Sequence, residues 1–209
     1  MKIKICNEDK VFPYLVIDNF YSENEQELIW KELTHHQNQN NFQVDLRTKR
    51  GVGSAKDENG NLKSNSKRIY LDLIYKEHRN KSNILSVYQK IFSPEVCEAY
   101  KKTTPSYNLF RSSNRDQSLV SYYENKQGYR EHFDKFMHSA LIWFFKEPKK
   151  FKGGDLTFTQ PNKTLECKHN RLVLFPSYYL HCIDEVTMPK KYRNKGLGRY
   201  CLTHFYDNK

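Results

Sequence analysis

A histidine and an aspartate, His132 and Asp134, lie two residues apart in a stretch rich in aromatic and β-branched side chains. Residues i and i+2 of a β-strand project from the same face, so a strand here would aim one imidazole and one carboxylate at a common point. On a helix the same side chains would diverge by about 200°. The surrounding residues favour a strand, and residues 125–128 are typical of a hairpin turn.

A third ligand would turn this pair into a metal site, and the best candidate is His181. It follows an apolar segment, residues 172–175, and a Pro-Ser turn. Two imidazoles and one carboxylate form the facial triad of non-haem Fe(II) oxygenases, which leaves metal positions open for reactants. The alternative is a core histidine that bonds its neighbouring aspartate, since the chain has eight histidines and a single His-x-Asp also arises by chance.

Composition indicates one domain with a substantial core. The chain has 209 residues, and 35 Lys and Arg against 24 Asp and Glu give a net charge of +11. We expect a single domain over residues 1–209. The first residues lack the apolar segment of a signal peptide, and no apolar run approaches the roughly 20 residues that span a bilayer. The five cysteines have no paired spacing, which favours a reducing, cytoplasmic setting.

The first half of the chain is expected to form strands and helices that support a sheet. An opening strand is expected within residues 11–20, and Ser22 with Glu25 predicts a capping box that begins a helix. Residues 39–68 form a long polar loop, interpreted either as a flap over a substrate or as a disordered insertion. A strand is expected at 69–73. Serines at 82 and 93 predict helices over 83–92 and 94–102.

Beyond residue 107 the chain changes to short β segments. We expect strands near 118–125, 129–134, 138–145, 155–160, 163–167, 171–175, 181–186 and 198–206. Eight short strands separated by turns indicate a double-stranded β-helix, or jelly roll. The predicted fold class is therefore α+β, mainly β, with residues 1–106 as an N-terminal support of helices and strands and residues 107–209 as a catalytic jelly roll.

The last predicted strand contains a cation in apolar surroundings. Arg199 and Thr203 differ by four positions and so share a face of the strand. A buried carboxylate needs a cation of good geometry, and the planar guanidinium fork supplies it. Arg199 is therefore a candidate to bind a carboxylate inside the jelly roll. The alternative is an edge strand with a solvated arginine.

Taken in order, these segments resemble the Fe(II)- and 2-oxoglutarate-dependent dioxygenases, and within them the prolyl 4-hydroxylase-like group. That family has a tyrosine nine residues and another three residues before its first iron histidine, as at Tyr123 and Tyr129, followed by His-x-Asp. An apolar strand, a Gly-Gly-acidic-x-x-Phe element at 153–158 and an Arg-Tyr-x-x-Thr segment at 199–203 follow in the same order. The resemblance covers residues 118–206 well and the first half loosely.

The resemblance implies a role for each candidate residue. His132, Asp134 and His181 would bind Fe(II), while Arg199 and Thr203 would hold the distal carboxylate of 2-oxoglutarate. The same resemblance implies that three more side chains belong to the 2-oxoglutarate pocket: Tyr123, Leu156 and Trp143. O2 would be the second cosubstrate, and ascorbate is an expected reductant. An aspartate at 134 favours hydroxylation, because a halogenating relative would have a small residue there.

One departure from the family lies between His181 and Arg199. Arg199 follows His181 by eighteen positions instead of nine or ten, with an insertion near 188–196, so that a shifted register would substitute Arg193 for Arg199.

The implied substrate is a prolyl residue in a peptide or protein, with release of succinate and CO2. A nucleic-acid-demethylating relative would have a second arginine at position 205, which is Phe205 here. The lysine-rich loops 146–152 and 189–195 would suit an acidic or ribosome-associated partner, or are simply solvated faces. Two alternatives stay open: a 2-oxoglutarate oxygenase with another substrate, and a non-catalytic jelly-roll binding module that holds a metal.

Overall fold

A computed structural model describes residues 1–7, 10–44 and 55–208. Its strands are β1 (Lys2–Cys6), β2 (Tyr14–Asp18), β3 (Gln43–Val44), β4 (Lys67–Tyr70), β5 (Arg115–Tyr123), β6 (Gln127–His132), β7 (His138–Phe144), β8 (Leu156–Phe158), β9 (Lys163–Leu165), β10 (Arg171–Pro176), β11 (His181–Val186) and β12 (Arg199–Asp207). Its helices are α1 (Glu23–Asn38), α2 (Leu71–Ile74), α3 (Asn83–Val87), α4 (Pro94–Thr103) and α5 (Tyr107–Arg111).

The strands form two antiparallel sheets, and the predicted jelly roll is confirmed. The larger sheet has the order β1-β2-β10-β7-β12-β5-β4-β3, and the smaller has the order β6-β11-β8-β9. The eight strands expected beyond residue 107 divide evenly, four to each sheet. The four strands of the first half extend the larger sheet at both of its edges, so the N-terminal support is partly built from strands.

Alternation along β12 divides the core between two layers. Tyr200, Leu202 and Tyr206 face the helices, where they share a cluster with Leu33 of α1 and Tyr100 of α4. Side chains of the opposite parity, such as Cys201, face the smaller sheet in a second cluster. Because successive residues of a strand point to opposite faces, a strand that is buried on both sides separates the helical support from the jelly-roll interior.

Local sequence accounts for the N-terminal ends of α1 and α3. Ser22 and Glu25 form the predicted capping box, with the Glu25 carboxylate accepting from the Ser22 N–H at 2.7 Å. Ser82 caps α3 by accepting from the Leu85 N–H at 3.0 Å. The helix predicted over 83–92 is α only as far as Val87 and continues as a 3-10 helix over Tyr88–Phe92. Ser93 precedes α4 but makes no side-chain cap.

The strand predicted at 69–73 is wrong in its second half. The strand ends at Tyr70, and Leu71–Ile74 forms a short helix. Turning the chain here brings the Asp72 carboxylate to the Ser118 N–H and to the Arg79 guanidinium. These charge-assisted bonds compete with continued strand pairing.

The single-domain expectation stays a prediction, and the packing supports it. The helix-side cluster combines residues from both halves of the chain, such as Leu15 and Leu33 from the first and Leu172 and Leu202 from the second. Neither half buries its apolar face without the other. Among the described residues, no helix has the length and apolar character needed to cross a membrane.

Candidate active site

The three histidine and aspartate side chains singled out in the sequence come together. Among the described residues, His132, Asp134 and His181 form a group whose potential ligand atoms all lie within 4.8 Å of one another. The Nε2 atoms of His132 and His181 lie 3.8 Å and 3.7 Å from the two oxygens of Asp134. All three donors therefore converge on one point, as a facial metal site requires.

Two neighbouring strands of the smaller sheet bring the histidines together. His132 ends β6, His181 begins β11, and the two residues are directly paired in the register of these strands. Asp134 does not belong to the strand, because β6 ends at His132. It lies in the loop between β6 and β7, where its N–H donates to the Ser177 carbonyl at 3.0 Å. The predicted convergence is present, but a loop produces it instead of the alternation of one strand.

Backbone carbonyls fix the tautomer of both imidazoles. His132 Nδ1 lies 2.9 Å from the Arg130 carbonyl, and His181 Nδ1 lies 2.8 Å from the Tyr179 carbonyl. A carbonyl can only accept, so each Nδ1 carries the proton and each Nε2 keeps its lone pair. Metal-binding histidines are usually held in this way. The lone pairs of both rings are thus available at the point that the Asp134 carboxylate faces.

Two serines orient the carboxylate. The Ser139 hydroxyl, at the start of β7, donates to Asp134 Oδ2 at 2.6 Å. Ser139 Oγ also lies 2.7 Å from Ser177 Oγ, so Ser177 donates to Ser139 in turn. Neither serine is marked by the sequence pattern, because a serine at a strand end carries no signal that it supports a ligand.

A stacked tyrosine covers one face of His132. The Tyr129 ring lies 3.5 Å from the His132 ring and is nearly parallel to it, at 12°. Burial lowers the pKa of His132 to about 2, with a further lowering from His181. His132 is thus a neutral imidazole at neutral pH, which is the form that binds metal.

Arg199 is a buried cation that lacks a counter-charge among the described residues. Its side chain is fully buried, and none of its three nitrogens has a hydrogen-bond partner there. The guanidinium carbon lies 4.8 Å from the Tyr123 ring and 5.8 Å from the Trp143 ring. Burial raises the pKa of the nearby Cys167 and Cys201 thiols, so neither supplies a negative charge. Burial of an unpaired cation is costly, and a bound carboxylate would remove that cost.

Other residues of the predicted cosubstrate pocket divide into two groups. Tyr123 and Thr203 line the same cavity as Arg199. Leu156 and Trp143 are fully buried in the jelly-roll core and do not belong to the cavity lining. Trp143 is nevertheless near the pocket residue Arg199, whose guanidinium carbon lies 5.8 Å from the centre of the Trp143 ring. The predicted roles of these four residues stay predictions.

The register of β12 favours Arg199 over the alternative Arg193. Arg199 pairs with Tyr123 across β5, whereas Arg193 lies in the preceding loop and donates its Nε–H to the Met188 carbonyl at 2.8 Å. Arg193 is not among the residues that line the cavity.

One cavity of about 790 Å³ connects the two parts of the site. Its lining includes the three candidate ligands and Arg199, and it continues along β12 past Thr203 and Phe205 to Asp207. Arg199 is completely buried and Asp207 is partly exposed, so the closed end lies at Arg199 and the mouth lies at the far end of the strand.

Part of the polar loop 39–68 lies along this cavity. Ser64 forms a bridge with Tyr129 of β6, and the Ala55 N–H donates to the Tyr129 hydroxyl at 2.8 Å. Ala55, Lys56 and Lys63 line the cavity. Residues 45–54, which the flap and disorder interpretations also concern, lie outside the described residues.

Comparison with known proteins identifies the class to which this geometry belongs. Residues 118–207 match the family model of the 2OG-Fe(II) oxygenase superfamily, where 2OG stands for 2-oxoglutarate. This segment contains all three candidate ligands and Arg199. The resemblance expected from the sequence is confirmed: residues 118–207 match the model of this superfamily, and the fold is prolyl 4-hydroxylase-like. A match to this superfamily implies Fe(II), 2-oxoglutarate and O2 as the reacting set.

Solved structures agree with the fold. The chain resembles a prolyl-4-hydroxylase from Pseudomonas putida with a TM-score of 0.62 and 15% identity, covering 97% of this chain and 96% of the other. It also resembles a prolyl hydroxylase from Trichoplax adhaerens, solved with a peptide fragment of a hypoxia inducible factor, with a TM-score of 0.64 and 13% identity over 97% and 86% of the two chains. At these identities the likeness concerns the fold. No curated protein matches the sequence.

Proposed function

We propose that the protein is an Fe(II)- and 2-oxoglutarate-dependent dioxygenase that hydroxylates a peptidyl residue, most specifically proline, with release of succinate and CO2. The observation that carries this proposal is the joint occurrence, in one cavity, of the three converging ligands and the buried, unpartnered guanidinium of Arg199. The first set of groups suits a divalent metal, and the second suits the carboxylate of a metal-bound acid.

The residues present fit the implied cofactor and cosubstrate. His132, Asp134 and His181 would hold Fe(II), which would supply the oxidising chemistry when 2-oxoglutarate and O2 are bound. Arg199 would pair with the distal carboxylate of 2-oxoglutarate, with the Thr203 hydroxyl beside it on the same strand face. The Ser139 and Ser177 hydroxyls would keep the Asp134 carboxylate oriented.

Aromatic side chains near the metal site favour proline as the target. Phe133, between two of the candidate ligands, is 54% exposed and lines the cavity. Phe136 stacks on Phe205 with ring centroids 4.5 Å apart, and both also line it. An apolar pyrrolidine ring would find contact surface here. The similarity of the fold to solved prolyl hydroxylases supports the same target.

The chemistry is tested first without a substrate. Purified protein under argon is mixed with Fe(II) and then with 2-oxoglutarate, and the visible spectrum is recorded. Chelation of the ketoacid by Fe(II) should produce a metal-to-ligand charge-transfer band. We expect His132→Ala and His181→Ala to abolish the band. His169→Ala, which alters a histidine outside the cluster, is the matched control and should retain it.

Peptide turnover tests the substrate separately. Proline-containing peptides should gain one oxygen atom, with succinate formed in equal amount. A band without conversion of any prolyl peptide would favour an oxygenase with another substrate. Absence of a band in folded, metal-loaded protein would contradict the oxygenase proposal and favour a binding module. In that case Asp134→Ala would leave partner affinity unchanged.

A further inference from the structure

The mouth of the active-site cavity has an excess of positive charge. Five cations line the cavity besides Arg199: Lys56, Lys63, Arg115, Lys135 and Arg68, of which Arg68 is buried on β4 and lies level with Cys201, near the closed end. Besides the candidate ligand Asp134, only two carboxylates of the described residues line the same cavity, those of Glu131 and Asp207. Substrate must pass this surface to reach the metal site, so its charge acts directly on what can enter.

Three of these cations are exposed and not neutralised. Lys56, Arg115 and Lys135 are exposed, and none of them forms an ion pair within the described part of the chain. Arg115 is the register partner of Asp207 on β12, yet these two side chains are not among the ion pairs. Lys63 donates its Nζ proton to the Glu131 backbone carbonyl at 2.7 Å, which orders the side chain without cancelling its charge.

The lysine-rich loops noted in the sequence lie at the opposite end of the cavity. Gly154 contacts Arg199 at the closed end, and the Lys152 N–H donates to the Thr187 carbonyl, so both loops adjoin that end. Along β12, Arg199 and Asp207 are about 26 Å apart at a rise of roughly 3.3 Å per residue. The lysines also cover aromatic rings: the Nζ atoms of Lys150 and Lys191 lie 5.4 Å and 5.0 Å from the Tyr192 ring.

We infer that the cationic mouth selects an acidic peptide, so that the protein acts on a prolyl residue flanked by Asp or Glu. This inference rests on the proposed function and specifies its substrate class. Arg115 and Lys135 would contact the flanking carboxylates, while Phe133 and Phe136 would contact the prolyl ring. Exposed charges at the rim of an interface mainly affect the rate of association and the choice between binding partners.

A binding experiment under argon tests the inference apart from turnover. Three labelled peptides share a central proline and differ only in flanking residues, which are all Glu, all Gln or all Lys. Their affinities for the protein loaded with Fe(II) and 2-oxoglutarate are measured by fluorescence anisotropy at low and high salt. We expect the Glu peptide to bind at least about tenfold more tightly than the Lys peptide at low salt, with the difference reduced at high salt.

Charge reversal at the mouth should abolish this preference. The double variant Arg115→Glu, Lys135→Glu should lose the preference for the Glu peptide, by about tenfold in relative affinity. The double variant Lys150→Glu, Lys191→Glu has the same change in net charge at the closed end and should keep the preference. The charge-transfer band of each variant shows that the metal site is intact.

The outcomes separate the two proposals. Equal affinity for the three peptides, or no binding of any of them by protein that shows the band, overturns the inference. The same is true if both double variants lose the preference equally, because net charge and not the mouth would then explain it. Absence of the band overturns the proposed function, whichever peptide binds.

Discussion

Gly154 lies directly against the side chain of Arg199. A Cβ atom built at position 154 would be 2.6 Å from Arg199 Cδ, closer than van der Waals contact permits, and the glycine has a φ of +77°. Each glycine of the Gly-Gly pair before β8 therefore has its own steric reason: Gly154 leaves space for the Arg199 side chain, whereas a Cβ atom at Gly153 would be 2.3 Å from the Glu185 carbonyl oxygen. The position of Arg199, and with it the proposed carboxylate site, depends on a residue without a side chain.

Gly154→Ala should weaken 2-oxoglutarate binding, because the added methyl group displaces Arg199. We expect about a tenfold loss of affinity, measured by titrating the charge-transfer band. Gly60→Ala is the matched control, since Gly60 has a similar φ of +79° but nothing within 4 Å of its Cβ position. Equal losses in both variants would mean that backbone strain, and not the contact with Arg199, is responsible.

Arg199→Met should separate stability from cosubstrate binding. The wild-type guanidinium is buried without a partner among the described residues, so removing it should leave the melting temperature of the cosubstrate-free protein unchanged or higher. In wild type, 2-oxoglutarate at about one hundred times its Kd, with Fe(II) under argon, should stabilise the fold by about 2.7 kcal/mol. The Arg199→Met variant should gain no stability from 2-oxoglutarate under the same conditions.

Arg199→Lys completes that comparison, since it keeps the charge but loses the planar fork. It should restore part of the stabilisation by 2-oxoglutarate. A large drop in the melting temperature of Arg199→Met without cosubstrate would instead assign Arg199 a structural role.

Ser139→Ala should lower metal affinity by about tenfold, because it removes the hydroxyl that orients the Asp134 carboxylate. Competition with a chelator of known affinity measures the change. Ser118→Ala is the control: Ser118 is also a buried serine of the larger sheet, but its hydroxyl contacts His204 at 2.7 Å on the helical side. A similar loss of metal affinity in both variants would indicate a general effect on the sheet.

Asp18→Asn should destabilise the fold at neutral pH, by about 1 kcal/mol. The Nε–H and Nη2–H groups of Arg171 donate to the two oxygens of Asp18 at 2.6 Å and 3.0 Å, joining strand β2 to β10. This hydrogen-bonded ion pair lowers the pKa of Asp18 below its ordinary 3.8. A lowered pKa in the fold means that the stabilisation is present above the ordinary value and is lost as the pH falls through the folded one.

Urea unfolding between pH 7 and pH 3 measures this effect. The free-energy difference between wild type and Asp18→Asn should shrink as the medium becomes acidic. An Arg171→Met variant should give the same pH dependence, and the double variant should add little further loss. A difference that stays constant with pH would show that the ion pair is not its source.

Much of the fold could be read from the sequence, because the second half follows the strand pattern closely. The predicted segments near 138–145 and 181–186 correspond to β7 and β11 within a residue. The error at residues 71–73 has a tertiary cause: apolar alternation favoured a strand, whereas the Asp72 carboxylate bonds to groups distant in sequence, Ser118 and Arg79.

The candidate ligands could be predicted from the sequence for a similar reason. His132 and Asp134 are neighbours in the chain, and His181 follows an apolar segment at a place where the family resemblance also implies a ligand. The residues that support these ligands could not be predicted. Ser139 and Ser177 contact each other across 38 residues, and Arg115 and Lys135 have no local pattern that marks them as parts of one cavity mouth.

The sequence by itself determined the residue types, the strand periodicity and the order of the motifs, because these depend on neighbours along the chain. Only the tertiary structure decided where Asp134 lies relative to the strand, that Arg199 is buried without a partner in the described residues, and that Gly154 leaves it space. It also decided which cations surround the mouth. These properties depend on distances between segments that are far apart in sequence, and antiparallel pairing of strands fixes those distances.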